Sequence, residues 1–280
     1  MFALLLLAAA GIYDYNQSAP IDIRIVKSEM REGVEVRDIT FANANGGRTA
    51  AYLVTPKTKG PHPAALMVHW YAPEEHDSNR TQYLGQAIDL AKQGLVSLLP
   101  ETMWSEPKWF RSRHRSDDYD ASVRSVKDLR RALDVLLKQR GVDKKRVAFV
   151  GHDFGAMYGA ILITADKRPA LYALQAFTNE MSHWYLYGPE MPEPDRSQFI
   201  AKLKPMDAME HLVKAAPAHV LLQFGTADEH VSKDRANASI AATSEPKKVI
   251  WYEAGHGLNK QAVTDRMIWL SEQLKLKTLK

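Results

Sequence analysis

The chain has 280 residues, 45% of them hydrophobic and 25% charged, with a formal net charge of +4. That length holds one large α/β domain or two small ones, and the apolar fraction is ordinary for a globular protein with a sizeable core. So small a charge excess, without a long basic run, argues against a nucleic-acid partner. The absence of cysteine excludes disulfides, thiolate metal sites and a cysteine nucleophile.

The chain opens on an apolar run, Phe2 to Ala10, too short to span a bilayer. It is similar to the core of an export signal but lacks a positive stretch before it and an Ala-x-Ala cleavage site. An export-signal remnant and a short apolar helix packed on the domain both remain open, and with them an exported or a cytoplasmic location. Residues 1–19 are set apart on this basis, and a single domain is expected over 20–280.

Strands are predicted over Val36 to Ala42 and Thr49 to Thr55, joined by Asn-Ala-Asn-Gly-Gly, a good hairpin turn. Pro63 to Trp70 is a compact apolar run and reads as a buried strand. Tyr83, Leu84, Ala87, Ile88 and Ala91 then fall at helical spacing, before a strand over Leu95 to Leu99. Val126, Leu129, Leu133, Leu136 and Leu137 mark a second amphipathic helix, followed by a strand over Val147 to Val150. Further strands are expected at Leu171 to Phe177, Ala218 to Phe224 and Lys248 to Glu253, with helices over Ser232 to Thr243 and Asn259 to Lys275. Alternating strands and helices predict an α/β fold, a mostly parallel sheet covered on both faces and led by an antiparallel hairpin. Two connections, about 100–119 and 178–217, are longer than the sheet needs and rich in aromatic residues, so they are expected to form the lid of a cleft. The first carries Arg111 to Arg115, "RSRHR", either a solvated loop or an anion-facing lid.

Gly151-His152-Asp153-Phe154-Gly155 follows an apolar run and enters Ala-rich, helix-like sequence. Small residues flanking the centre permit a sharp strand-to-helix turn that lifts the central side chain above the sheet's carboxyl edge. The Phe154 N–H at the start of that helix would face a developing oxyanion. Asp228 lies just past the strand ending at Phe224, in "GTADEHV", and His256 just past the strand ending at Glu253, in "AGHGL". Asp153, Asp228 and His256 thus follow in the chain order of a nucleophile, its acid and its histidine. His152, His183, His211, His219 and His230 lack comparable context and read as structural or solvated.

From about Val36 to Leu270 the chain resembles the α/β-hydrolase superfamily, and within it the dienelactone hydrolase-like branch, through "GTADEHV" and "YEAGHGL". That branch normally carries Cys or Ser where this chain has Asp153. The elbow itself resembles those of haloalkane dehalogenases and epoxide hydrolases, which implies an aspartate nucleophile with Asp228 and His256 as acid and base. After Val68 the chain reads "HWYAP", where many relatives have His-Gly and a following N–H completes the oxyanion hole. By position, Trp70 or Tyr71 supplies it here.

A carboxylate is a weak nucleophile toward a carbonyl but forms a stable ester with a saturated carbon bearing a halide or an epoxide oxygen. Water activated by His256 would then hydrolyse that ester. The expected function is therefore a cofactor-independent, metal-independent hydrolase acting on an epoxide or a carbon–halogen bond. Trp104, Trp109, Trp184, Tyr185 and Tyr187 are candidates for the pocket or for assisting the leaving group. Neither the tyrosine-bearing cap of epoxide hydrolases nor an arginine directly after the nucleophile is reproduced, so the leaving group stays open. The alternatives are an ester or lactone hydrolase with Asp153 as base, and a non-catalytic binding protein on a hydrolase scaffold. The expected partner is a largely apolar small molecule, with no membrane span and no indication of oligomeric state.

Overall fold

A computed structural model describes residues 11–277. The run from Phe2 to Ala10, with its two readings, lies outside the described residues. Among the described residues, nine strands form one sheet in the order β1-β2-β3-β5-β4-β6-β7-β8-β9. β1 (Arg24–Arg31), β2 (Val34–Ala42) and β3 (Arg48–Thr55) make an antiparallel meander, and β3 also runs antiparallel to β5 (Val96–Pro100). From β5 onward, β4 (His62–Val68), β6 (Val142–His152), β7 (Leu171–Gln175), β8 (His219–Gly225) and β9 (Lys247–Tyr252) are all parallel. Every residue of β4, β5 and β7 is buried, which is why those segments read as unbroken apolar runs rather than alternating ones.

The helices are α1 (Leu84–Lys92), α2 (Trp109–Ser112), α3 (Asp118–Leu137), α4 (Phe154–Ala165), α5 (Met181–Tyr185), α6 (Asp195–Leu203), α7 (Ala208–Leu212), α8 (Lys233–Ala242) and α9 (Lys260–Leu274). Ala87, Ile88 and Ala91 of α1 and Trp269, Leu270 and Leu274 of α9 pack in one apolar layer with Val34, Val36, Ala65 and Met67. The opposite layer joins Leu129, Leu133 and Leu136 of α3 and Met157 and Ile161 of α4 to Ile39, Phe41, Leu66 and Phe149. β2 therefore serves both layers along its length, Val34 and Val36 on one face and Ile39 and Phe41 on the other.

Three expectations shift. The opening hairpin is a three-stranded meander, because β1 is mostly exposed and carries no apolar alternation to reveal it. Helix α3 begins at Asp118, well before its first apolar marker, because its first turns bury Asp118 and Ser122 instead. Strand β6 begins at Val142, its polar start pairing with His62 beyond an irregularity in the ladder.

The parallel strands place the loops after β4, β6, β8 and β9 on one edge of the sheet, where α/β sites form. Close approach at that edge depends on glycine. A Cβ on Gly151 would stand 2.5 Å from the Gly155 carbonyl oxygen, and one on Gly155 would stand 2.2 Å from the Val68 carbonyl oxygen. Backbone at both points cannot yield as a side-chain tip could. Gly155→Ala is therefore expected to destabilise the fold by about 2–3 kcal/mol in urea unfolding; an unchanged midpoint would contradict this packing.

Candidate active site

Asp153 sits between the end of β6 and the start of α4 at φ 54°, ψ −117°, a backbone conformation that non-glycine residues rarely adopt. It is 1% exposed. Oδ2 accepts a hydrogen bond from the Tyr71 N–H at 2.8 Å, and the Phe154 N–H also supports the carboxylate. Oδ1 is buried with no hydrogen-bond partner among the described residues.

The Tyr71 N–H is aimed by its neighbours. His69 Nδ1 donates to the Trp70 carbonyl at 2.7 Å, fixing the peptide plane whose other side carries that N–H. His69 Nε2 in turn accepts from Ser105 Oγ at 2.8 Å, with Thr102 Oγ1 at 3.0 Å. Burial lowers the His69 imidazole to about 4, so it is neutral and can accept. Trp70 is thereby corrected as an oxyanion donor: its own N–H goes to Gln82 Oε1 at 2.9 Å.

His256 Nδ1 lies 2.9 Å from Asp228 Oδ2, while Asp228 Oδ1 accepts from the His230 and Val231 N–H groups at 2.8 and 2.9 Å. His256 Nε2 stands 3.9 Å from Asp153 Oδ1. The structure thus brings Asp153, Asp228 and His256 together. Burial pushes the Asp153 carboxyl up to about 6, against the opposing pull of His256 and the Tyr71 and Phe154 N–H groups. Burial alone would lower His256, but its bond to Asp228 and the charges of Asp153 and Asp228 outweigh it and leave the imidazole raised. Burial would likewise raise Asp228, but the hydrogen bond and charge of His256 hold it below its ordinary value.

These groups lie in a cavity of about 980 Å³ walled by Trp70, Tyr71, Phe110, Trp184 and Tyr187. Trp184 meets His256 edge-on at 5.6 Å, and its buried Nε1 has no hydrogen-bond partner among the described residues. Glu74, Glu75, Arg111 and Arg115 also line the cavity, so its walls are less uniformly apolar than expected. Arg113 and Arg115 tie the two long insertions together through the carbonyls of Tyr185 and Pro189.

Three aromatic candidates are misplaced by the sequence reading. Trp104 is fully buried, donates to the His69 carbonyl, and with Trp109 lines a separate pocket of about 740 Å³. Trp109 instead packs edge-on against Phe154 at 5.3 Å. Tyr185 is buried with its hydroxyl bonded to Ser122 and Tyr158 at 2.9 and 2.8 Å. Conversely, His152 and His230 belong beside the site: His230 lines the cavity 5.1 Å from the His256 ring, and His152 is 5.3 Å from it. Their adjacency to Asp153 and Asp228 in sequence was the signal available.

No protein-family model and no curated protein matches the chain. Among solved structures it is similar to acetyl xylan esterase 1 from Thermoanaerobacterium sp. JW/SL YS485, with a TM-score of 0.78 at 17% identity over 96% of this chain and 93% of that one. An acetyl xylan esterase from Paenibacillus sp. R4 gives a TM-score of 0.78 at 16% identity, covering 96% and 93%. An α/β hydrolase from Penicillium sp. sh18 gives 0.61 at 14%, covering 85% and 98%. The chain has the α/β-hydrolase fold. At these identities the likeness speaks to the fold alone.

The buried charge has a measurable consequence for stability. The folded-state value of Asp153, about 6, lies above the ordinary carboxyl value of 3.8, so ionisation costs the folded state. The cost is absent below about pH 4, grows as pH rises through 6, and is complete above it. Asp153→Asn should therefore be more stable than wild type at pH 8 by on the order of 2–3 kcal/mol, the gap closing toward pH 4. Urea unfolding at several pH values checks this; a variant less stable at pH 8 would contradict it.

Proposed function

We propose that this protein is a hydrolase that forms an ester between Asp153 and a saturated carbon of its substrate, at an epoxide or a carbon–halogen bond. The observation that carries the reading is the inequality of the two Asp153 oxygens: Oδ2 accepts the Tyr71 N–H, and Oδ1, among the described residues, is free of hydrogen bonds beside His256. Attack by Oδ1 on the carbon breaks its bond to the leaving group and makes Oδ2 the ester carbonyl oxygen, already bonded to the Tyr71 N–H, with the Phe154 N–H at the start of α4 as the second donor. His256 Nε2 then takes a proton from water, and the resulting hydroxide attacks Cγ. The oxyanion forms on Oδ2 where those donors wait. Collapse breaks the Cγ–Oδ1 bond and the departing alkoxide takes the proton back from His256. Asp153, left as the acid with one oxygen from water, releases its proton, which goes to solvent when the leaving group is a halide and balances the proton taken up by the ring-opened oxygen of an epoxide. Asp228 orients His256 and stabilises its cationic form.

Leaving-group assistance falls to donors on the cavity wall. Trp184 suits that role by hydrogen bonding, since its Nε1–H has no other partner among the described residues and its ring abuts His256.

A second reading is ester or lactone hydrolysis with Asp153 as general base. It is favoured by the esterases among the fold neighbours, whose names point to esters rather than epoxides or halides. A carboxyl near 6 also suits a base at neutral pH. Against it, a substrate carbonyl needs the Tyr71 N–H that Asp153 Oδ2 occupies.

A panel of epoxides, haloalkanes and short esters, run on His256→Gln and followed by intact-protein mass, separates the readings. The proposed route predicts an adduct of the substrate's alkyl mass on Asp153, absent in Asp153→Asn, which loses at least about a thousand-fold in kcat/KM. Ester turnover without any adduct would favour the second reading. Because attack needs the ionised carboxylate, kcat/KM is expected to rise about tenfold per pH unit below about 6 and to level above it; a profile flat from pH 4 to 8 would contradict the assignment.

A further inference from the structure

We infer that His152 is a positioning residue: its imidazole clamps the loop carrying His256 to the loop carrying the Tyr71 N–H, and so sets where the base stands relative to Asp153. The inference rests on reading His256 as the base. His152 is the last residue of β6, directly before Asp153, and is 1% exposed. Both of its ring nitrogens are engaged. Nε2–H donates to the His256 backbone carbonyl at 2.9 Å. Nδ1 accepts from Gln82 Nε2 at 2.7 Å, and Gln82 Oε1 accepts the Trp70 N–H at 2.9 Å. The Trp70 ring stacks on His152 at 4.8 Å and lies nearly parallel to the His256 ring at 6.3 Å. One imidazole therefore links the loops after β4 and β9 at the point where β6 delivers Asp153.

His256 is consequently fixed at two points, its ring by Asp228 and its backbone by His152. Among the described residues, no other side chain hydrogen-bonds the backbone of residues 255–258. The bond pattern defines a neutral His152 with its proton on Nε2. A proton on Nδ1 would face the Gln82 amide hydrogens, and as a second proton it would also set a positive charge beside His256. The groups facing His256 are Asp153, Asp228, His152 and His230, with the rings of Trp70 and Trp184. His256 Nε2 lies 3.9 Å from Asp153 Oδ1, so a small drift of the loop changes what the base can reach. A displacement of about 1 Å can cost about a hundred-fold in rate.

Two substitutions divide the clamp. In His152→Gln the side-chain amide reaches the position of Nε2 and can still donate to the His256 carbonyl. In His152→Asn it reaches only the position of Nδ1, keeping Gln82 and releasing His256. Two readouts follow: the single-turnover rates of covalent-intermediate formation and hydrolysis, and the titration of the His256 imidazole by NMR. His152→Asn is expected to slow hydrolysis of the intermediate by about ten- to a hundred-fold, leave its formation within about threefold, and lower the His256 titration midpoint. His152→Gln is expected to stay near wild type in both. In the unaltered protein, nitrogen chemical shifts should show His152 neutral and protonated on Nε2, a result that needs no variant to fold. Equal behaviour of the two variants in titration and step rates, or a His152 protonated on Nδ1, would overturn the inference. If no intermediate forms on Asp153, the covalent reading fails while the His256 titration still decides the clamp.

Discussion

The environment of the Asp153 carboxylate is unequal on its two sides, and the rest of the site is arranged around that inequality. Oδ2 accepts the Tyr71 N–H, while Oδ1, without a hydrogen-bond partner among the described residues, faces His256 Nε2 at 3.9 Å. Held this way, the group cannot rotate to offer both oxygens alike, and its buried charge is supported by few donors. The raised carboxyl and the backbone at φ 54° are two costs of one arrangement. Such costs persist where the surrounding structure over-determines the residue. Here Gly151 and Gly155 let α4 press against the backbone at the end of β4, which pins the turn from both sides.

That constraint propagates outward through neutral imidazoles. His69 fixes the peptide that aims the Tyr71 N–H, and His152 ties the Trp70 backbone, through Gln82, to the backbone of His256. Neither could play its part if protonated, because each uses one ring nitrogen as an acceptor. Burial lowers both: His69 to about 4, and His152 well below its ordinary value. The parallel sheet makes this economical, since loops distant in sequence all leave the same edge. Beyond them the two insertions close over the cavity, joined by Arg113 and Arg115 rather than by apolar contact alone.

Much of this was legible in the residues. Apolar runs located the buried strands within a few positions, and the order Asp153, Asp228, His256 anticipated which side chains meet. What escaped has identifiable causes. β1 is exposed, so no burial pattern marks it. The choice between the Trp70 and Tyr71 N–H groups turned on His69, Gln82, Thr102 and Ser105, partners drawn from three chain segments and invisible to local reading. Trp104, Trp109 and Tyr185 were expected at the cavity because aromatic insertions suggest a lid. An aromatic residue carries no mark of which side of the lid it faces, and all three turn into packing against Phe154 and Tyr158. In the "RSRHR" cluster, read as a solvated loop or an anion-facing lid, Arg111, Arg113 and Arg115 all line the cavity, and Arg113 is also an internal tie to Tyr185 and Asp118.

The covalent role of Asp153 is tested most directly by one turnover in H₂¹⁸O with enzyme in excess over substrate. If Oδ1 becomes the product's oxygen and water restores the carboxylate, the product of that turnover is unlabelled and the Asp153 peptide gains one ¹⁸O. Label in the product with none on Asp153 would contradict the account and assign the carboxylate to the base role instead.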